Sequence, residues 1–103
     1  MSVHDNYLQH AIALATPNVE NGGRPFGALI VHRGDIVARA VNTLHQNGDP
    51  TAHAELNAIR DVSQRLGSQV LSECIIYASG QPCPMCLSAI YLTGIREVYF
   101  ANS

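Results

Sequence analysis

Residues 74–101 read CIIYASGQPCPMCLSAIYLTGIREVYFA, and this stretch decides the architecture. Cys74–Ala78 is a short apolar run rich in β-branched and aromatic residues, the composition of a buried strand. Ser79-Gly80-Gln81 turns the chain. Pro84–Thr93 then predicts a helix: Cys83 takes the N-cap position, Pro84 the first helical position, where its missing N–H costs nothing, and Gly94 supplies the stop. Ile95–Ala101 is a further apolar run and a further strand. A strand, a helix and a strand in such close succession predict two parallel strands joined by a right-handed crossover, the repeating unit of α/β proteins.

Upstream, Leu8, Ala11, Ile12, Ala15 and Val19 recur at helical spacing and predict an amphipathic helix over residues 2–20, ended by Asn21-Gly22-Gly23. Pro17 should bend or shorten its last turn, because it lacks the N–H a helix interior needs. Phe26–His32 (FGALIVH) reads as a strand covered on both faces, and Arg33-Gly34-Asp35 as a tight hairpin turn. Ile36–Asn42 alternates, with Val37, Arg39 and Val41 on one face and Ile36, Ala38, Ala40 and Asn42 on the other. Thr43–Pro50 is a loop, and Asp49-Pro50 resembles an N-cap followed by proline at the first helical position. The helix expected there carries His53 and Glu55 in its opening turns, buries Leu56, Ile59 and Leu66, exposes Asp61 and Arg65 as an i,i+4 pair and stops at Gly67. The expected fold is α/β, a layered single domain over residues 1–103.

Composition narrows the function. With 103 residues, 47% of them hydrophobic, there is apolar mass for one core and no second domain. Six basic and eight acidic residues, net charge −2, form no basic footprint for a phosphate backbone, so nucleic acid is not favoured as a partner. No apolar run approaches the length of a membrane span and the N-terminus lacks a signal-peptide layout, so a cytoplasmic protein is expected. Three cysteines suit a reducing compartment better than a disulfide framework. Cys74, between Glu73 and two isoleucines, is expected to be a small core residue.

That leaves Cys83 and Cys86, two residues apart on the first turn of a helix, where N–H groups and the helix dipole favour thiolate. His53 opens the other predicted helix. Zinc takes thiolate and neutral imidazole in tetrahedral geometry, and a catalytic site supplies three protein ligands and leaves a corner for water. His53, Cys83 and Cys86 supply three. Glu55 lies roughly 200° around the helix from His53, so it can flank a Zn2+ ion without binding it. A carboxylate there can take a proton from water and return it to a ring nitrogen and a departing amine, the chemistry of hydrolytic deamination. CxxC alone also occurs in structural zinc and redox sites. A closed structural site needs a fourth ligand, however, and Cys74, His4, His10, His32 and His45 show no ligand spacing; a thioredoxin-like role leaves His53 and Glu55 without work.

With Pro25-Phe26-Gly27-Ala28, Asn42, Asp49-Pro50-Thr51-Ala52-His53-Ala54-Glu55, Pro82-Cys83-Pro84-Met85-Cys86 and Ala89-Ile90-Tyr91, the sequence resembles the zinc-dependent cytidine/deoxycytidylate deaminase superfamily, and within it most nearly the bacterial guanine deaminases. HxE together with PCxxC is the signature of zinc deaminases. The resemblance implies a three-layer α/β/α fold with a mixed central sheet, Zn2+ held by His53, Cys83 and Cys86, and proton transfer by Glu55. It also implies a base held by Asn42, the backbone around Ala54 and the ring of Phe26. The implied reaction is water attack on an amino-bearing ring carbon of a nucleobase, guanine to xanthine plus ammonia, in a homodimer.

Three departures qualify it. Gln81 stands where relatives usually carry glutamate; Leu92 follows Tyr91 where guanine deaminases often carry tryptophan; and the family's fifth strand and terminal helices do not follow Ser103. A C-terminally truncated chain with an open sheet edge is therefore expected. The rival readings are a tRNA adenosine deaminase, a cytosine-type or other aminoheterocycle deaminase, and a zinc-binding module without activity.

Overall fold

A computed structural model describes residues 2–101. Helix α1 (Val3–Glu20) is followed by the hairpin β1 (Gly27–His32) and β2 (Asp35–Val41), a single helical turn α2 (Leu44–Asn47) and helix α3 (Ala54–Leu66). A 3₁₀ segment (Ser68–Glu73) leads into β3 (Cys74–Ala78), helix α4 (Pro84–Thr93) and β4 (Glu97–Phe100). The strands form one mixed sheet in the order β2-β1-β3-β4, antiparallel except for the β3–β4 pair, which is parallel across α4 as the spacing predicts.

Two apolar cores sandwich this sheet. On one face α1 contributes Tyr7, Leu8, Ala11 and Leu14 against Leu29, Val31, Tyr77 and Tyr99. On the other, α3 and α4 bring Leu56, Ile59, Val62, Cys86 and Ile90 onto Ile30, Ala38 and Ile76, with Leu71 and Cys74 closing the end. The expected three-layer α/β/α arrangement is the one found. β1 and β3 are central in the sheet and almost wholly buried, which is why they read as continuous apolar runs.

Several local expectations are corrected. α1 runs through Pro17 to Glu20. Its buried stripe ends on Asn18, while Val19 is half exposed. Leu66 is likewise 40% exposed rather than buried. The hairpin turn is Arg33-Gly34, both at positive φ (51° and 86°), the two-residue turn whose twist suits flanking strands. A register shift between Ile30 and Val31 places an extra residue in β2, and the predicted alternation fails there. Val37 packs with Ala38 and Ala40 on the α3 face, whereas Ile36 joins the α1 core. β1 begins one residue after Phe26, and β4 is shorter than Ile95–Ala101.

The helix expected at Asp49-Pro50 begins later, at Ala54. Asp49 instead accepts from the Thr51 backbone N–H (2.8 Å) and hydroxyl (2.7 Å), a local turn that consumes the side chain a helix cap would need. Both hydrogen bonds hold the Asp49 carboxyl below the usual carboxylate range. Among the described residues no helix is long and apolar enough to cross a membrane.

Candidate metal and proton-transfer site

The later start of α3 makes His53 its N-cap, with extended backbone (φ −71°, ψ 153°). Cys83 is the N-cap of α4 in nearly the same conformation (φ −72°, ψ 169°), followed by Pro84 in the first turn as expected. Neither N-cap side chain bonds back to its own helix. Each is thus free to point off the end of its helix, and the two ends meet.

His53 Nδ1 lies 3.6 Å from Cys83 Sγ and 3.5 Å from Cys86 Sγ. All three ligand atoms fall within 4.8 Å of one another. These separations test the donor set. Zinc–sulfur and zinc–nitrogen bonds of about 2.3 Å and 2.0–2.1 Å, set at a tetrahedral angle, put nitrogen and sulfur about 3.6 Å apart. The residues fit a zinc ion with three protein ligands, and among the described residues no fourth His, Cys, Asp or Glu joins the group.

Glu55, the second residue of α3, is 8% exposed and lines a cavity of about 100 Å³ with Phe26, Asn42, His53, Gln81 and Cys83. Burial raises its carboxyl pKa, while its own backbone N–H and His53 pull the other way. Cys86 is fully buried; burial first, then the Glu55 carboxylate and Cys83, push its thiol well up. A divalent cation would reverse that preference, since a coordinating thiol is deprotonated. A larger concavity of about 530 Å³, between α4 and β4, is lined by Leu87, Ser88, Ile90, Tyr91, Ile95 and Val98. It contains none of the three candidate ligands.

Asn42 is 3% exposed at the exit of β2. Its Oδ1 accepts from Leu44 N–H (3.0 Å), which leaves the amide NH₂ as its free function toward the cavity. Phe26, 44% exposed, forms a wall. Ala54 is fully buried as the first residue of α3, where N–H groups have no intrahelical partner. Of the residues expected from the sequence to form the site, Phe26, Asn42, His53, Glu55 and Cys83 line this cavity, Ala54 lies between two of them in the chain, and Cys86 joins it through the ligand group. Cys74 is fully buried in the α3-face core, as expected.

Sequence reasoning missed further contributors. Gln81, noted from the sequence only as a departure from relatives, lines the cavity. Ser79 ties the loop before Cys83 to β1, its hydroxyl accepting from Gly27 N–H (3.0 Å) and its N–H donating to Gly27 C=O (2.9 Å). Asn57 donates to Val41 C=O (2.9 Å), Thr43 Oγ1 (3.0 Å) and Ala52 C=O (3.3 Å), bracing the segment before His53 against the exit of β2. A polar side chain set among the apolar positions of α3 was the available signal for Asn57.

A mixed sheet between helices, with a His/Cys/Cys group and a buried glutamate at two helix N-termini, is the arrangement of a zinc-dependent deaminase. The model of the cytidine and deoxycytidylate deaminase zinc-binding region matches residues 1–102, and the chain belongs to this family. It is 46% identical over 99 residues to guanine deaminase of Bacillus subtilis, covering 95% of this chain and 64% of that protein. The crystal structure of that enzyme superposes with a TM-score of 0.92, covering 99% of this chain and 65% of that one. A tRNA-specific adenosine deaminase of Aquifex aeolicus is 39% identical, over 92% of this chain and 63% of that protein. A probable cytosine deaminase of Schizosaccharomyces pombe is 35% identical, over 94% and 59%. The chain thus spans just under two thirds of the length of these relatives. The family and the His/Cys/Cys group together point to zinc.

Proposed function

We propose that this chain performs zinc-dependent hydrolytic deamination of a nucleobase, guanine to xanthine and ammonia, as part of purine metabolism. The observation that carries the reading is the pairing of the His53 nitrogen, at tetrahedral-edge distance from both cysteine sulfurs, with Glu55 in the same cavity. Guanine is favoured over other bases by the 46% identity to a guanine deaminase.

Bound by His53, Cys83 and Cys86, zinc supplies Lewis acidity that lets water act as a nucleophile near neutral pH. The remaining work falls to side chains. Glu55 takes a proton from the attacking water, delivers it to the ring nitrogen beside the amino-bearing carbon, and carries the second proton to the amine. The C–N bond to that amine breaks, the C–O bond remains, and ammonia leaves. Burial raises the Glu55 pKa, the direction that makes a carboxylate a better proton acceptor from water. The Asn42 amide NH₂ donates to an acceptor on the ring, the N–H of Ala54 holds a carbonyl oxygen, and Phe26 stacks on the base face.

Glu55→Gln keeps the shape and removes the shuttle. Zinc content should stay near one per chain while ammonia release falls at least ~10²-fold, general acid–base catalysis being worth about 10²–10⁴-fold. Retained turnover in this variant would remove Glu55 from the mechanism. A second reading, deamination of adenosine in tRNA, draws on the 39% identity to the Aquifex enzyme. Ammonia release assayed on guanine, cytosine, adenine and a tRNA anticodon stem-loop separates the two, and silence on all four with zinc bound would favour a binding module.

The same proposal includes a homodimer in the cytoplasm. Leu87, Tyr91 and Leu92 stand exposed on α4 beside the apolar concavity, Tyr91 and Leu92 at 88% and 86%, an arrangement typical of association surfaces. The three free cysteines suit a reducing compartment, and cell fractionation that placed the protein elsewhere would contradict it.

A further inference from the structure

We propose that Asn18, at the end of α1, is a positioning residue that sets the base-recognising groups Asn42 and Phe26; this rests on the reading of the cavity as a nucleobase site. Asn18 is 5% exposed, a carboxamide on the buried stripe that otherwise consists of Ala11 and Ala15. Both of its amide hydrogens are used. Nδ2 donates to Asn42 C=O (2.9 Å) and to Arg24 C=O (2.8 Å).

Those two carbonyls belong to the two segments that form one wall of the cavity. Arg24 C=O also accepts from Phe26 N–H (2.9 Å), and Phe26 C=O accepts from Asn42 N–H (3.3 Å). The Asn42 side chain then accepts from Leu44 N–H (3.0 Å). One buried amide therefore closes a ring of hydrogen bonds that fixes where the Phe26 ring and the Asn42 NH₂ group stand. No atom of Asn18 needs to touch the base for this.

The neighbouring backbone is shaped around it. A Cβ on Gly23 would lie 2.6 Å from Asn18 Nδ2 and 2.5 Å from His45 Cε1, so the chain passes the carboxamide at a distance only glycine allows. Shape alone does not account for Asn18, since leucine has the same branched outline and suits an apolar stripe better. Its two donors do.

Asn18→Leu removes both donors and keeps the branched outline. In the zinc-loaded chain without substrate, amide hydrogen exchange at Phe26, Asn42 and Leu44 should quicken at least ~5-fold, the smallest effect expected of two lost hydrogen bonds, while Asn57 and Leu87 in the first turns of α3 and α4 keep their rates. With guanine, KM should rise about tenfold and kcat stay within roughly twofold, because positioning is lost and the proton shuttle is not. Gly23→Ala should reproduce both signatures by pushing the carboxamide aside, and serves if Asn18→Leu fails to fold.

Unchanged exchange at Phe26, Asn42 and Leu44 would overturn the proposal whatever the substrate. So would a fall in kcat at constant KM, which is what a smaller folded fraction produces. A parent chain inactive on guanine would defeat the substrate assignment alone, and the exchange measurement would still decide Asn18.

Discussion

Gly27 opens β1 directly beneath α1. A Cβ placed on it would lie 2.3 Å from the backbone oxygen of Ala11 and 3.0 Å from Leu14 Cβ. Relief to the ~3.3 Å of a tolerated carbon–oxygen contact requires α1 or β1 to move by roughly 1 Å. Neither moves alone. Ala11 is fully buried against Leu29, Val31 and Tyr77, and Gly27 is hydrogen-bonded in both directions to Ser79. Forcing one methyl into such packing costs about 1–3 kcal/mol, or about 4–20 °C in Tm for a domain of this size. Gly27→Ala should therefore lower the thermal midpoint by that amount, measured by calorimetry at a fixed excess of zinc so that metal linkage does not change. The displacement also reaches Phe26 and, through Ser79, the loop before Cys83. A midpoint within ~1 °C of the parent, well below the ~4 °C that the smallest expected cost implies, would refute the close seating of α1 on β1.

Three further outcomes are expected. Cys86→Ser should reduce bound zinc at neutral pH to less than a tenth of an equivalent by atomic absorption, and chelator should then no longer shift a melting curve that metal at about 1,000 times Kd stabilises by about 4 kcal/mol in the parent. Tyr77 is 1% exposed, its hydroxyl is 2.6 Å from His4 Nδ1, and burial followed by the nearby Tyr99, Tyr7 and Glu97 pushes it up from 10.0 to about 12. A raised folded-state pKa means its contribution is complete below about pH 10 and lost as pH rises towards 12, about 1–3 kcal/mol after allowing for screening; Tyr77→Phe should flatten that part of the urea-midpoint profile, and an unchanged profile would count against it. Leu92→Glu should convert a dimeric parent to monomer by light scattering, and a monomeric parent would dispose of the dimer.

The sequence was most legible where local and tertiary demands coincide. α4 is an example. Cys83 at the N-cap, Pro84 behind it and Gly94 in the left-handed conformation (φ 81°) are local signals, and the apolar runs on either side leave the parallel pair little alternative. The bulge in β2 had no such signal, because Ile36-Val37-Ala38 offers apolar side chains to both faces and only the partners across the sheet decide which face each takes. Asn18 and Asn57 were overlooked for a related reason. A polar residue on an apolar stripe shows in sequence, whereas the carbonyls it serves, on Arg24, Asn42, Val41 and Ala52, come from elsewhere in the fold.

The misplaced start of α3 bears most directly on the site. Asp49-Pro50 offers a better local cap than His53, since asparagine, aspartate, serine or threonine at an N-cap is worth about 1 kcal/mol over residues that cannot cap. The fold forgoes that gain twice. At both α3 and α4 the N-cap is a potential metal ligand whose side chain makes no capping bond, and both adopt nearly the same extended backbone. The consequence is a pair of helix ends with their first N–H groups uncapped, aimed at one point, and supplying two of the three candidate ligands from positions where the side chain leaves the helix axis. A departure from local preference at these two positions, with agreement nearly everywhere else in α4, is the pattern expected where function rather than stability chose the residue.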